Sequence, residues 1–277
     1  MISIYQALSE LEKNNESAAL CTVVKSIGST PRHVGSKMLV YADGKFIGTV
    51  GGGDLEHRIL NEAGLAMVDG EARLLSYTMA DPTRGDPGVC GGTVEVFVEP
   101  ILPPVMIVVI GGGHVGKAVV YLAKWLGFRV AVSDDRPEFC NPESVPGADA
   151  YFPVEMGKLP EHLKITTQTY IIITSRGSGI DAQGLPKLLE TQAAYVGVIG
   201  SKRRWLTTVK ALKAKGVAED RIARVHSPMG LELNAETPEE IAVSIMAEIL
   251  MLKDKGSGKP MRAQPSEVLS ESKSSEL

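Results

Sequence analysis

Residues 107–116, which read IVVIGGGHVG, constrain the fold of this 277-residue chain more than any other segment. An apolar run leads directly into Gly111, Gly113 and Gly116, spaced as GxGxxG, and an amphipathic segment follows. Such glycines allow a tight turn, close approach of the backbone to a pyrophosphate, and close packing of a helix on a strand. Asp134 ends the next apolar run, where a carboxylate binds the ribose 2′-hydroxyl in dinucleotide-binding folds. The pattern predicts a Rossmann-type unit; the alternative is a glycine-rich turn that binds nothing.

Net charge, hydropathy and cysteine spacing exclude several classes of protein. A formal net charge of −4 argues against nucleic acid or an anionic membrane as the main partner. No segment reaches the roughly 18 consecutive apolar residues of a membrane span, and the first residues do not resemble a signal peptide. Cys21, Cys90 and Cys140 form no CxxC pair, so neither a disulfide framework nor a zinc ribbon is supported. We therefore expect a cytoplasmic protein with no nucleic-acid or membrane partner.

A proline-rich segment divides the chain. Pro100, Pro103 and Pro104 interrupt two apolar runs, as a short interdomain connection does. Before them, helical and meandering strand patterns predict a smaller α+β domain over residues 1–100. After them, strands alternate with helices, which predicts a parallel, doubly wound Rossmann-type sheet over 101–252. The polar, serine-rich residues 253–277 are expected to be a disordered tail. The fold class is therefore α/β, with the α+β domain first.

Local signals place two further features. Asp43-Gly44 between apolar runs predicts a hairpin. Thr237, followed by Pro238 and by Glu240 three residues after the cap, predicts the start of a long helix.

Two groups of residues are candidates for anion binding. The N-terminal domain gathers backbone amides, hydroxyls and two cations around a predicted helix start, namely Ser29, Thr30, Arg32, Lys37, Gly51, Gly52 and Gly53. This set suits a phosphate or a polar heterocycle, although tight turns in a compact sheet would give the same pattern. In the second group, Gly200 and Ser201 precede three cations at a helix start, which predicts either an anion site or a solvated basic face.

Seven ordered blocks carry a resemblance to a known family. They are GSTPRHVGSKMLV, GTVGGGDLE, VCGGTVEVFVEP, VVIGGGHVGKAV, FRVAVSDDRPEF, YVGVIGSKRR and AETPEEIAVSIMAEIL. Together they resemble the xanthine dehydrogenase accessory factor family (XdhC/CoxI). The resemblance implies a maturation factor that binds molybdenum cofactor (molybdopterin), protects it, and delivers it in sulfurated form to a molybdenum hydroxylase such as xanthine dehydrogenase. The partners it implies are the apo hydroxylase, a cysteine desulfurase and a second copy of the chain in a homodimer.

Position by position, the resemblance implies cofactor-binding roles. Residues 28–32, Lys37 and 51–53 fall in the family's N-terminal signature, and Cys90 occupies a glycine-flanked cysteine position. Gly111, Gly113, His114, Gly116 and Asp134 fall in the dinucleotide-type turn.

Two positions depart from the family pattern. Asp54 replaces a cysteine and Ser178 replaces a histidine. Because a carboxylate is a hard ligand, Asp54 weakens the hypothesis that two cysteines hold molybdenum or a persulfide sulfur.

Single residues have competing interpretations. Cys90 is either a thiolate ligand or a small buried hydrophobe, whereas Cys21 and Cys140 are expected to be structural. Asp54 and His57 share a helix face, but no third ligand is identifiable, so no metal site is predicted. His114 is either a ligand contact or a simple helix-start residue.

Three functions therefore compete. The first is the cofactor-binding maturation factor, and in that case the chain is a carrier more than a catalyst. The second is an NAD(P)-dependent oxidoreductase that uses the Rossmann turn, although no catalytic residue is identifiable. The third is a regulatory protein that senses a nucleotide without chemistry.

Overall fold

The computed structural model of the chain describes residues 3–79 and 91–261. The chain forms two compact units, Met1–Val105 and Met106–Leu277. The predicted tail lies outside the described residues from 262 onward, as does Cys90. Within the described ranges, no helix combines the length and the apolar character needed to cross a bilayer.

Residues 3–79 and 91–105 of the N-terminal unit form a five-stranded antiparallel sheet with two α-helices. Its strands are β1 (Ala18–Ile27), β2 (Lys37–Tyr41), β3 (Phe46–Gly48), β4 (Arg73–Thr78) and β5 (Thr93–Ile101), in the order β3-β2-β1-β5-β4. The helices are α1 (Ile4–Asn14) and α2 (Gly53–Asp69). Leu55, Ile59 and Ala63 on α2 are fully buried in one core with Cys21 and Val96 of the sheet.

Local chemistry explains the boundaries of these elements. Ser3 and Gln6 form a capping box at the start of α1. The predicted hairpin at Asp43-Gly44 joins β2 to β3, and Asp43 Oδ1 accepts the Lys45 N–H at 3.0 Å. Gly44 has a φ of +81°, which explains why a glycine occupies the turn.

The second unit is a six-stranded parallel sheet. Its strands are β6 (Met106–Ile110), β7 (Arg129–Ser133), β8 (Ala150–Phe152), β9 (Thr169–Ile173), β10 (Tyr195–Val198) and β11 (Val225–His226). The helices are α3 (His114–Trp125), α4 (Leu159–His162), α5 (Ser178–Leu188), α6 (Lys202–Ala214), α7 (Glu219–Ala223) and α8 (Pro238–Lys253). The strands lie in the order β11-β10-β9-β6-β7-β8, so β7 and β8 are added on one side of β6, and β9 to β11 on the other. Doubly wound sheets bind ligands outside the strand ends at such a point.

The predicted fold class is confirmed: an antiparallel α+β unit precedes a Rossmann-type parallel sheet. The capping box at Thr237 and Glu240 starts α8 as the sequence predicts. α5 begins at Ser178, directly after its N-cap Gly177, whose backbone is extended. The short elements β8, α4, α7 and β11 were not predicted from the sequence.

Candidate functional site

Three loops of the N-terminal unit meet at the start of α2. A Cβ built on Gly51 would lie 2.9 Å from Pro31 Cγ, so residues 28–32 pack directly on the glycine triplet. A Cβ built on Gly92 would lie 2.7 Å from Thr30 Cγ2, so the loop that leads into β5 packs on the same segment. These contacts require glycine at both positions, because any side chain would separate the loops. Pro31 thus packs on Gly51, and Ser29 and Thr30 pack on Gly92. That these residues form one binding site stays a prediction.

Hydrogen bonds within the loops fix their shape. The Thr30 hydroxyl donates to the Arg32 carbonyl at 3.0 Å and lies 2.6 Å from the Ser26 hydroxyl. Glu56 accepts the Thr49 hydroxyl and the Val50 N–H in front of the glycine triplet. The Thr30 side chain is therefore used to shape the loop.

The glycine triplet leaves room for a ligand. Gly52 and Gly53 have φ values of +83° and +61°, and no described atom lies within 4 Å of a Cβ built on either. Gly52 is the N-cap of α2, and within the described chain no side chain caps it. A helix start with open backbone amides is an anion site, so the geometry fits a phosphate group.

Two cations stand near these loops. Arg32 is exposed. Lys37 begins β2, where its carbonyl accepts the Thr49 N–H at 2.9 Å and its Nζ donates to the Thr22 hydroxyl at 3.3 Å. Arg32 thus follows Pro31, which packs on the glycine triplet, whereas the Lys37 ammonium is bonded to β1.

Two of the cysteines and both departures from the family pattern lie in the described residues, Ser178 as the first residue of α5. Cys21 is buried, which raises the pKa of its thiol to about 12, and burial also raises the pKa of Cys140. Asp54 pairs with Arg58, one turn along α2, at 2.8 Å. Among residues 3–79 and 91–261, no three His, Cys, Asp or Glu side chains cluster as metal ligands.

The glycines of the Rossmann turn have different surroundings. Gly111 has a φ of +113°, and a Cβ there would lie 2.7 Å from the Thr174 carbonyl oxygen. A Cβ on Gly116 would overlap the Gly111 carbonyl oxygen, so this glycine lets α3 pack on the turn. Gly113 has an ordinary φ of −74°, and the described chain leaves the space around its missing side chain empty. Gly113 and the exposed His114 therefore form the open part of the turn.

Asp134 holds this turn in place. Its buried carboxylate accepts the Gly112 N–H at 3.0 Å and, from Arg136, the backbone N–H at 3.1 Å and the side chain at 2.9 and 3.0 Å. Burial alone would raise the pKa of Asp134, but the bonds from Arg136 and Gly112 hold it below its ordinary value. The carboxylate is thus engaged within the chain, and a ribose hydroxyl would have to displace Arg136.

A cavity of about 340 Å³ opens beside Asp134. It is lined by residues that follow β6, β7, β8 and β9, and by one face of α5. Its charged and amide side chains include Asp135, Lys158, Arg176, Gln183 and Lys187. Sequence reasoning missed these residues, although Asp135 directly follows the predicted ribose ligand.

In the second candidate anion site, at Gly200 and Ser201, most polar groups are already bonded within the chain. Ser201 caps α6 by accepting the Arg204 N–H at 3.3 Å. Arg204 turns inward, and its Nη2 donates to the fully buried Asp181 at 2.7 Å. Gly200 allows this, since a Cβ there would lie 2.7 Å from Arg204 Cδ. Lys202 and Arg203 remain exposed.

Family models of known proteins match residues in both units. Residues 107–249 match the XdhC Rossmann domain, and residues 11–78 match the XdhC and CoxI family. The uncharacterized protein YqeB of Escherichia coli (strain K12) is 37% identical over 262 residues, which cover 93% of this chain and 47% of that protein.

Two further relatives carry functional names. A probable xanthine dehydrogenase subunit of Bacillus subtilis (strain 168) is 28% identical over 161 residues, or 58% of this chain and 47% of that protein. The molybdenum cofactor insertion chaperone PaoD of Escherichia coli (strain K12) is 22% identical over 270 residues, or 87% and 85%. The chain spans about half the length of YqeB and of the Bacillus protein. The two matched family models show that this chain belongs to the XdhC and CoxI family.

Proposed function

We propose that this chain binds molybdenum cofactor and delivers it to an apo molybdenum hydroxylase. Two relatives support this role by name, one as a molybdenum cofactor insertion chaperone and one as part of a probable xanthine dehydrogenase. The cofactor is cargo here, so the chain's task is to hold and release it rather than to turn over a substrate.

The observation that carries the proposal is the meeting of three loops at the start of α2. The open amides at Gly52 and Gly53 would hold the cofactor phosphate, and Arg32 and Lys37 would balance its charge. A site of exposed amides and surface cations binds an anion without burying it, which suits a carrier that must release its cargo.

The sulfur chemistry and the partners of the proposal rest on the family resemblance. Cys21 and Cys140 are buried, so neither offers the exposed thiolate that sulfur transfer from a desulfurase needs. That role falls to Cys90, outside the described residues.

A homodimer remains part of the proposal. Tyr121 and Trp125 are exposed one turn apart on α3, and aromatic side chains are enriched in protein interfaces.

The test is cofactor content after purification from a molybdenum-replete host. We expect fluorescent oxidised pterin and molybdenum in near-stoichiometric amounts. Arg32→Gln should lower the affinity about tenfold, the loss expected for one charge-assisted contact. Lys45→Gln is the matched control, because Lys45 pairs with Asp43 at the hairpin of the same unit.

A protein free of pterin and molybdenum, or an Arg32→Gln variant that retains the wild-type content, would overturn the proposal. Turnover of NAD(P) with a small substrate by the same preparation would favour the oxidoreductase instead.

A further inference from the structure

The solvent side of α6 is strongly basic. Residues 202–218 contain six cations and no carboxylate. Two of these cations are used within the unit, because Arg204 pairs with Asp181 and Lys215 Nζ donates to the Ala182 carbonyl at 3.0 Å. The other four are exposed and form what we call the basic face of α6, namely Lys202, Arg203, Lys210 and Lys213.

Within the described part of the chain, the basic face of α6 is neutralised at one position. Lys213 pairs with Glu219 on α7 at 2.5 Å, whereas Lys202, Arg203 and Lys210 form no ion pair with a described carboxylate. The Lys213 and Glu219 side chains are 53% and 80% exposed, so this pair holds the lysine weakly. Like charges that the chain itself leaves unbalanced attract the opposite charge on a partner.

An exposed leucine lies among these cations. Leu206 is 61% exposed, and it lies three, four or seven residues from each member of the basic face. Residues at these separations share one side of a helix and are neighbours on its surface. The opposite side of α6 is buried in the core of the unit through Thr208 and Leu212. The solvent side of α6 therefore presents one apolar side chain surrounded by positive charge.

This arrangement matches a protein interface better than a nucleic-acid or membrane surface. Protein interfaces have an apolar anchor at the centre and a polar rim that excludes water from it. A helix that lies on a bilayer instead inserts a broad apolar face, whereas Leu206 is the one exposed large apolar side chain of α6, a helix described throughout its length. The net charge of −4 on the whole chain also opposes attraction to nucleic acid or to anionic lipid.

From these observations we propose that the basic face of α6, with Leu206 at its centre, docks an acidic protein surface that contains an apolar pocket. Leu206 enters the pocket, and the four cations orient the partner and speed its approach. The partner that the proposed function supplies is the apo hydroxylase. The inference therefore rests on that function, and it identifies the surface by which the carrier is recognised.

Binding of the apo hydroxylase to the full chain, with no cofactor on either protein, tests this surface. Biolayer interferometry gives the association and dissociation rates at about 50 mM and about 200 mM NaCl, a range over which salt screens exposed charges. Lys210→Glu should lower the affinity about tenfold, mainly through a slower association that depends less on salt. Leu206→Ala should lower it about tenfold or more, mainly through faster dissociation, as expected for an anchor residue.

Two control variants carry the same changes outside α6. Lys13→Glu changes the net charge equally at an exposed position of α1, and Leu65→Ala shortens a leucine of α2 that is 53% exposed. Both controls should bind the apo hydroxylase as the wild type does. Since all four positions are exposed, urea unfolding should give similar midpoints for every variant. A loss of binding then reports on the surface and not on folding.

Wild-type affinity in either Lys210→Glu or Leu206→Ala would overturn the inference, as would equal losses in the controls or a wild-type chain that does not bind the apo hydroxylase. Binding to phosphatidylglycerol vesicles or to duplex DNA that Lys210→Glu abolishes would overturn it in favour of a membrane or nucleic-acid partner.

The pterin and molybdenum content of the purified chain is measured separately. A chain that carries cofactor but does not bind the hydroxylase through α6 contradicts this inference alone. A chain that binds the hydroxylase through α6 but carries no cofactor contradicts the proposed function and supports the docking surface.

Discussion

At the scale of single residues, the glycines of the GxGxxG turn have different roles in the fold. Gly116 is required by the fold, because a methyl group there would overlap the Gly111 carbonyl. Gly113 has an ordinary φ, and among the described residues no atom would contact its missing side chain. Packing in the described chain therefore requires glycine at 116 and does not require it at 113.

Paired alanine substitutions separate the two roles. Gly116→Ala should lower the free energy of unfolding by about 2 kcal/mol or more, because the added methyl overpacks backbone. Gly113→Ala should lower it by about 1 kcal/mol or less, the cost of alanine in place of glycine at an N-cap. Urea unfolding measures both. Equal destabilisation by the two substitutions would contradict this account.

Asp134 gives a prediction with a defined pH dependence. Because its folded-state pKa lies below the ordinary value of 3.8, its ionised form stabilises the turn above that pH, and the contribution is lost as the pH falls through the folded-state pKa. Asp134→Asn should cost about 1–3 kcal/mol near neutral pH, as expected for lost hydrogen bonds to a charged group.

The measurement is the difference in unfolding free energy between wild type and Asp134→Asn across pH. The difference should stay constant from about pH 5 to pH 8 and shrink as the pH falls below about 4. A difference that persists undiminished at lower pH would show that Asp134 does not act through its charge.

At the scale of elements, a buried ion pair connects two helices. Arg204 on α6 donates to Asp181 in the first turn of α5, and also to the carbonyl and hydroxyl oxygens of Ser175. Ser175 precedes Arg176 in the loop that lines the cavity. The pair thus positions the cavity loop, and Gly200 makes room for the arginine.

Arg204→Met should lower the free energy of unfolding by about 3–5 kcal/mol, because it leaves the Asp181 charge buried without its partner. The neighbouring Arg203→Met is the control; since Arg203 is exposed, a change within about 0.5 kcal/mol is expected. Asp181→Asn combined with Arg204→Met should be less destabilising than the sum of the two single changes. Additive effects measured by urea unfolding would argue against the coupling.

Sequence periodicity predicted the longer elements well and the shorter ones poorly. The glycine turn, the hairpin at Asp43-Gly44 and the capping box of α8 carry their own local signals. Strands of two or three residues, such as β8 and β11, are too short to show a pattern of alternation. The Arg204–Asp181 and Arg176–Asp135 pairs join residues that are 23 and 41 positions apart. Sequence alone does not show such spatial neighbours.

At the scale of the whole molecule, the two units differ in where they leave open space. The N-terminal unit joins three loops around a helix start, and the Rossmann unit opens a cavity beside its glycine turn. The proposed function assigns the cofactor to the loops of the N-terminal unit. The central claim is that the chain carries cofactor to a hydroxylase.

Transfer to an apo enzyme tests that claim most directly. Cofactor-loaded chain is mixed with an apo molybdenum hydroxylase, and recovered activity is measured against the amount of chain-bound molybdenum. We predict that activity rises in proportion and saturates when the molybdenum supplied equals the number of hydroxylase sites. An apo enzyme that gains no activity from loaded chain, while free cofactor released from a denatured holoenzyme activates it, would contradict the account.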